Sequence, residues 1–583
     1  MPTMPTPQIP ETAPFSTEQR AWLNGLMAGL FSGHPGEATV TSVAAAPLTI
    51  LFGSQSGNSE ALAKRVGKLA AKSGFTPTVT DLGDYPPENI QGETDLLIVT
   101  STYGDGEPPD NAKAFYEYLL ADTAPHLESL TFAVLGLGDS SYPDFNECAK
   151  HIDTRLEALG ARRAHKTLLC DVDFEEAAEA WAPVALTALQ GEPNGQAPSP
   201  ISNLKSEIPP ALAYDKKNPY AAKVLRNLSL NAAGSAKETR HIEIALGHSG
   251  LAYTAGDALG VFPENAPRLV DRILDACGLP EDAPTPLPDG RVGPLAEALR
   301  YHYDISRLAS PFVEACARLS GHGDLKALVT DKAAMKAYVD GRSLLDPLRA
   351  YPVRFPTTEH LVAPLKQLRP RLYSISSSPR AHPGEVHITV GAVRWAAHGE
   401  ERLGVCSTFL AALQEGSRCR IFFQPNNNFR LPADSATPLI MVGPGTGIAP
   451  FRAFIEERAA LGQTGKNWLF FGDQKSASDF LYADELKHWQ QRGVLTRLDT
   501  AFSRDQAEKI YVQDRMREHG RELFDWLEAG AAFCVCGDAS RMARDVDAAL
   551  HEIIARHSGK DAAFATAYVQ SLRSAKRYLR DVY

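Results

Sequence analysis

At two places in this chain an apolar run ends in a loop of glycine and small hydroxyl residues and passes at once into a helical pattern. The first is Leu48–Gly53, which runs into Ser54-Gln55-Ser56-Gly57-Asn58-Ser59. The second is Met441-Val442-Gly443, which runs into Pro444-Gly445-Thr446-Gly447-Ile448-Ala449-Pro450. A strand that feeds a helix directly pairs next with a parallel strand, so each end predicts a doubly wound α/β sheet. With 583 residues and a prior of ~150 residues per domain, about four units are expected.

The divisions follow from pattern and composition. Residues 1–46 form an N-terminal extension whose Pro- and Thr-rich start reads as a disordered tail. Residues 47–190 are the first α/β unit, with strands at Pro47–Phe52, Leu96–Thr100 and Thr131–Leu137 and helices at Ser59–Lys72, Ala112–Leu120 and Asn146–Leu159. Residues 191–215, rich in Pro, Ser, Gly and Asn, read as a linker. Residues 216–435 carry strands at Thr239–Leu246, Arg371–Ser376, Glu385–Val393 and Arg418–Gln424, interrupted by a helical insertion at about 264–365. Residues 436–583 resume the βαβ rhythm.

Several function classes are excluded. The apolar stretch Ala21–Phe31 is far shorter than the ~20 residues of a membrane span. The N-terminus has no basic region before an apolar run, so no signal peptide is expected. The eight cysteines show neither zinc nor iron–sulfur spacing, and a reducing cytoplasm is the simplest home. The net charge is −11, yet residues 51–190 alone hold 22 acidic against 10 basic residues, which leaves the rest near neutral. Nucleic acid is a poor partner for such a chain. An acidic module on a neutral body is suited to docking on basic protein surfaces.

The loop Ser54–Ser59 lacks the Gly-Lys-Ser/Thr ending of a nucleoside triphosphate loop. Its hydroxyls, backbone N–H groups and following helix N-terminus suit a monoester phosphate. Two further loops sit at strand ends, where ligands bind in such sheets. They are Ser101-Thr102-Tyr103-Gly104, with acids following, and Leu137-Gly138-Asp139-Ser140-Ser141-Tyr142-Pro143-Asp144-Phe145-Asn146. Tyr103 and Tyr142 can sandwich a flat ring, and the nearby acids disfavour added negative charge on it.

Together these three loops resemble the flavodoxin-like FMN domain of diflavin reductases. The resemblance implies that Ser54–Ser59 hold the FMN phosphate and that the two later loops cradle the isoalloxazine. Many bacterial sulfite reductase flavoproteins have Gln where this chain has Tyr103. Tyr there resembles the reductases of haem-thiolate mono-oxygenases, so this loop leaves the acceptor open.

The resemblance continues in order along the chain. Arg371-Leu372-Tyr373-Ser374 resembles the R-x-Y-S segment of a ferredoxin-NADP reductase-like FAD β-barrel. Arg371 would pair with the pyrophosphate, Tyr373 would stack on the ring and Ser374 would bond near the flavin N5. Thr389-Val390-Gly391 and Gly404-Val405-Cys406-Ser407 match two further FAD segments, Trp395 stands where relatives often have Tyr, and Ser306 fits an FAD contact in the insertion. Gly443–Pro450 matches the family's nicotinamide-side loop. Ser503, Arg504, Lys509, Ile510, Tyr511, Val512 and Gln513 match its site for the extra phosphate of NADPH, where cations replace the acid of an NAD site. Asp545 matches a dinucleotide contact. Cys536, Asp581, Tyr583 and Ser374 match the residues around the reacting atoms, with the final aromatic ring over FAD.

The implied activity is electron transfer from NADPH through FAD to FMN and on to a haem-protein acceptor. The ending Asp581-Val582-Tyr583 favours the flavoproteins of assimilatory sulfite reductase over the mono-oxygenase reductases, which usually carry Trp near the end. The partner would be the sirohaem/iron–sulfur subunit, and the setting cysteine biosynthesis by sulfur assimilation. Pro14–Gly25 also resembles the region preceding FMN in those proteins, although an amphipathic helix packed on its own domain explains it equally well. Two alternatives stand beside this reading: a soluble reductase for a haem-thiolate mono-oxygenase, and a non-catalytic flavin-binding scaffold. The second is opposed by Ser374, Cys536, Asp581 and Tyr583 together.

Overall fold

The computed structural model describes residues 46–54, 57–102, 106–139, 144–171, 174–190 and 214–583. The N-terminal extension up to residue 45, nearly all of the linker, Gln55, Ser56, Tyr103, Gly104 and Ser140–Pro143 lie outside the described residues.

The first module is a parallel sheet. Its strands are β1 (Ala46–Gly53), β2 (Phe75–Asp81), β3 (Asp95–Ser101), β4 (Thr131–Leu137), β5 (Arg162–Arg163) and β6 (Leu168–Cys170). The order is β2-β1-β3-β4-β5, with β6 also on β4. Strands β3 and β4 are buried nearly throughout, as a sheet covered on both faces requires. One face packs Leu48, Ile50 and Phe52 against α1 (Asn58–Lys72) and α4 (Glu175–Leu189). The other packs Leu51, Ile98 and Phe132 beneath α2 (Lys113–Leu120) and α3 (Glu147–Ala158). Strand β2 has no counterpart in the sequence reading. Its Thr-rich, proline-containing FTPTVTD lies at the sheet edge and is mostly part-buried, so the apolar signal is weak.

The second sheet is antiparallel: β7 (Tyr220–Ser229), β8 (Thr239–Ala245), β9 (Ala258–Phe262), β10 (Arg371–Ser374), β11 (Glu385–Gly391) and β12 (Arg418–Gln424). Its order is β10-β9-β12-β7-β8-β11. The expected FAD-type β-barrel corresponds to this six-stranded antiparallel sheet, whose two edge strands approach each other. The edge strands β10 and β11 meet only through the single bridge Ile375–Ile388 and the bond from Ser376 N–H to the His387 carbonyl, 2.8 Å. No ladder closes the sheet among the described residues. Helices from Pro267–Cys277 to Thr358–Val362 form the insertion, with their own core around Val270, Phe312 and Leu361.

The third module is again parallel: β13 (Leu439–Val442), β14 (Asn467–Asp473), β15 (Arg497–Phe502), β16 (Ala532–Gly537) and β17 (Tyr578–Val582). The order is β15-β14-β13-β16-β17. The register of β16 on β17 sets Cys536 opposite Asp581.

Among the described residues, ion pairs that join the first module to the rest include Asp139–Arg371 at 3.2 Å, Asp171–Arg369 at 3.5 Å, Glu107–Arg544 and Asp110–Arg580. In these every acid comes from the first module and every base from the body, so the uneven charge of the sequence has a structural counterpart. All eight cysteines are buried and reduced. Among the described residues no helix is long and apolar enough to cross a membrane.

Candidate active site

In the first module the phosphate-type loop lies where β1 ends. Gly57 adopts a left-handed conformation, φ 91°, immediately before α1. The Ser54 hydroxyl accepts the backbone N–H groups of Gly57 (2.9 Å) and Ser59 (3.2 Å). The Ser59 and Ser101 hydroxyls are buried without a partner. Donors of this kind at a helix N-terminus fit an anionic phosphate. The Thr102 hydroxyl accepts Cys148 N–H at 3.2 Å, and Thr102 N–H bonds the Leu137 carbonyl at 2.9 Å, which ties the two later loops together. Leu137 itself faces the core, and Asn146 is fully buried, donating to the Cys170 carbonyl at 2.9 Å. Among the loop residues Gly138, Asp139, Asp144 and Phe145 remain part-exposed or exposed. The ring-stacking candidates Tyr103 and Tyr142 fall outside the described residues.

A cavity of about 1180 Å³ opens between the modules. Arg371, Leu372, Tyr373 and Ser374 line it from β10; Thr389 and Gly391 from β11; and Trp395, Gly404, Val405, Cys406 and Ser407 from the segment after β11. Ser306 reaches it from the insertion, its hydroxyl donating to Asp304 at 2.7 Å. Val390 turns instead into the sheet core, because side chains alternate along a strand; any contact from it is through backbone. Arg371 meets Asp139 of the first module at this cavity, so both flavin-type regions share one wall. The helix Val405–Ala412 starts here. A side chain at Gly404 would press on Ser407 Oγ and Val393 Cβ, both at 2.9 Å.

At the back of the cavity three segments converge. Ser374 Oγ donates to Asp581 Oδ2 at 2.5 Å, and Cys536 Sγ lies 3.8 Å from the same oxygen. Burial raises the Asp581 carboxyl above its ordinary 3.8, against the Ser374 and Cys536 bonds, which lower it. Burial first, then the Asp581 charge, pushes the Cys536 thiol well above its ordinary value. Tyr583 is 58 % exposed yet anchored. Its N–H bonds the Gly537 carbonyl (3.0 Å), its carbonyl accepts Ala539 N–H (3.1 Å), and its hydroxyl pairs with Thr446 Oγ1 (2.8 Å). Thr446 belongs to the loop Gly443–Pro450. There a Cβ on Gly447 would collide with the Cys536 carbonyl, and one on Gly443 would lie 2.5 Å from the Gly447 carbonyl. Close backbone approach therefore requires glycine at both.

The cationic candidates lie elsewhere, beyond β15. Arg504 and Lys509 are exposed, and Tyr511 is mostly solvent-facing. Ser503 is tied by its N–H to the Asp473 carbonyl, 2.9 Å. Gln513 donates to Asp545 at 3.2 Å, so these two candidates hold each other. Ile510 and Val512 pack into the module core and support the loop rather than face solvent.

The sequence reading passed over several residues that the structure adds. Arg307, Lys366, Arg369 and Arg394 bring more positive charge to the cavity. The Arg-Pro-Arg triplet around Pro370 was the available signal for Arg369. Asn426 donates to Asp581 Oδ1 at 3.4 Å from the polar run after β12, which carried no chemistry of its own in the sequence.

The comparisons with known proteins agree with this layout. Residues 50–181 match the flavodoxin family model, 213–409 the FAD binding domain and 441–548 the oxidoreductase NAD-binding domain. Flavodoxin, FAD and NAD modules in this order define a diflavin NADPH-dependent reductase whose cofactors are FMN, FAD and NADPH. The chain is 46 % identical over 580 residues to the sulfite reductase [NADPH] flavoprotein alpha-component of Bacillus subtilis, covering 97 % of this chain and 95 % of that one. It is 42 % identical over 576 residues to the protein of that name from Serratia proteamaculans (98 % and 96 % covered). For Vibrio cholerae the figure is 43 % over 576 residues (97 % and 94 %). The chain belongs to the sulfite reductase [NADPH] flavoprotein alpha-component family.

Proposed function

We propose that this chain carries electrons from NADPH to the haem-protein subunit of an assimilatory sulfite reductase, in the cytoplasm and in the service of cysteine biosynthesis. When bound, FAD takes the electron pair of NADPH and FMN hands electrons on singly; the protein sets position and environment. In this reading residues 47–190 hold FMN, 216–435 hold FAD and 436–583 hold NADPH.

The observation that carries the reading is the meeting of Ser374, Cys536, Asp581 and Tyr583 at a cavity whose wall also includes Asp139. Ser374 and Asp581 fix a hydrogen bond at the reacting position. Cys536 fills the space behind it as a neutral thiol, and Tyr583 stands between cavity and solvent. Arg371 and the cations beside it hold the FAD pyrophosphate, Ser54–Ser59 hold the FMN phosphate, and Arg504 with Lys509 select the extra phosphate of NADPH. The acidic rim of the first module, Glu107, Asp110, Asp139 and Asp171, docks on the arginines of the body and becomes the surface offered to a basic acceptor when the module leaves the body on the 191–215 linker.

The test is to mix the flavin-loaded chain with the purified sirohaem/iron–sulfur subunit, NADPH and sulfite. Sulfide formation that needs both proteins is expected. Rapid dye reduction with no electron delivery to that subunit, but delivery to a haem-thiolate mono-oxygenase, would reassign the acceptor.

A further inference from the structure

A cluster of histidines and glutamates that the electron path does not use lies where the second sheet packs on the third module. His241 on β8 and His387 on β11 are 5 % and 1 % exposed, with ring centroids 5.0 Å apart. His241 Nε2 is 3.5 Å from Glu243 Oε1, and its Nδ1 bonds the Tyr482 hydroxyl at 2.9 Å. His387 Nε2 bonds Glu385 at 3.2 Å, while its Nδ1 is buried without a hydrogen-bond partner. Donor atoms of His241, Glu243 and His387 all lie within 4.8 Å of one another, and so do those of His382, Glu385 and His387.

We propose that His241, Glu243 and His387 form a binding site for a zinc-class divalent cation. Two imidazoles and a carboxylate are the donors such a borderline cation takes, and a fourth position is left for water. Tetrahedral zinc needs donors roughly 3.3 Å apart, a modest rotamer adjustment from the present spacing. The far side of each ring is already held. With the His387 Nε2–H directed at Glu385, its orphan Nδ1 presents a lone pair, which is the form that ligates. Tyr482 fixes His241 in the same manner, and outer partners of this kind orient metal-binding histidines. The Glu385 and His382 side chains, 36 % and 31 % exposed, give a path in from solvent.

Two arginines are nearby: Arg226 Nε lies 3.7 Å from Glu243 Oε2 and its exposed side chain can yield that carboxylate to a cation, and Arg452 lies within electrostatic reach of both rings. The Arg452 guanidinium is already paired with Glu456 at 2.9 Å and Glu485 at 2.8 Å, so it does not stand unopposed against a cation. Because Tyr482 belongs to the third module, an ion here would tie that module to the second sheet.

The test uses the full flavin-loaded chain, stripped with a chelator and dialysed against zinc chloride in metal-free buffer. Metal is counted by mass spectrometry, and affinity is measured by calorimetry. One zinc per chain is expected, with a rise in unfolding temperature. His241→Gln and Glu243→Gln should lose it at unchanged flavin content, and Tyr482→Phe should weaken binding by about tenfold. Glu243→Gln preserves shape, so it separates lost ligation from lost folding. No retained zinc in the unaltered chain, or equal zinc in a His241→Gln, His387→Gln double variant, overturns the proposal.

Discussion

The two parallel modules share a topology and build their sites in opposite ways. In each sheet the first strand lies between the second strand and a later one, β1 between β2 and β3 and β13 between β14 and β16. The crevice at such a reversal is where ligands bind. Among the described residues the first module lines it from its own contiguous stretches, with Ser54, Gly57 and Ser59 after β1, Ser101 and Thr102 at the end of β3, and Gly138 and Asp139 after β4. The third module fills it only with help. Its Cys536, Asp581 and Tyr583 meet Ser374, which belongs to the second sheet and lies 207 residues from Asp581 in the chain. A self-contained site can be moved as a unit; an assembled one exists only while two modules remain packed.

That contrast can be broken most severely by cutting the chain. A fragment ending near residue 200 should bind FMN alone. One beginning near 215 should bind FAD and reduce ferricyanide with NADPH, yet lose haem reduction by at least about 100-fold, a shift of ~2.7 kcal/mol in barrier. Efficient haem reduction by the second fragment would show that FMN is not the exit.

Asp581→Asn probes the assembled site alone. NADPH-driven ferricyanide reduction should fall about 100-fold through lost positioning while FMN and FAD contents stay full. The pH profile sharpens it. Because burial raises Asp581 above 3.8, its proton is gained at a higher pH than an ordinary carboxyl's as the solution is acidified. The rate should therefore drop on the acid side above that value, and the variant should lack this limb. Stability runs the opposite way, with its contribution present below 3.8 and lost as pH rises through the folded pKa. The native state binds this proton more readily than the unfolded chain, so ionised Asp581 disfavours the fold once pH rises past its folded pKa.

In the proposed function Tyr583→Ala removes a ring that both coenzymes must displace, while only NADPH has Arg504 and Lys509 to offset the cost. The ratio of kcat/KM for NADPH over NADH should narrow about tenfold, ~1.4 kcal/mol. Arg504→Ala should raise KM for NADPH several-fold to about tenfold, as loss of one charge-assisted bond implies, and leave NADH unchanged. Equal effects on both coenzymes would place the phosphate elsewhere. The smallest effect belongs to the ion pairs between modules. Exposed pairs contribute about 0–1 kcal/mol each, so Glu107→Gln should change electron delivery to haem less than about fivefold, and added salt should mimic it.

What could be read from the sequence divides along the same line. Strand Thr131–Leu137 matches the residues observed because a strand buried nearly throughout is a continuous apolar run, and strand Arg418–Gln424 matches because Cys419, Ile421 and Phe422 form its buried part between polar ends. The phosphate-type loops were legible because their chemistry is contiguous. Strand β7 escaped notice, since its mixture of Lys, Arg, Asn and apolar residues shows little alternation; its burial is correspondingly patchy. The grouping of Ser374 with Asp581 had no local signal and came only through family resemblance, because nothing in either segment encodes the packing that joins them. The point at which the two edge strands of the second sheet meet was likewise invisible, as it depends on backbone register at Ile375 and Ile388 rather than on residue type.

The burial of all eight cysteines bears on how long such a protein survives its own chemistry. Flavins that carry electrons in air generate peroxide, and peroxide attacks thiolates rather than thiols. Burial pushes the thiols of Cys148, Cys316, Cys406, Cys419 and Cys534 to about 12, and that of Cys170 to about 11. Cys277 is also raised, and Cys536, the cysteine beside the reacting atoms, sits well above its ordinary value. At neutral pH the folded chain presents almost no oxidisable sulfur anion. Its durability against self-inflicted damage is thus a property of packing, and it lasts only as long as the fold does.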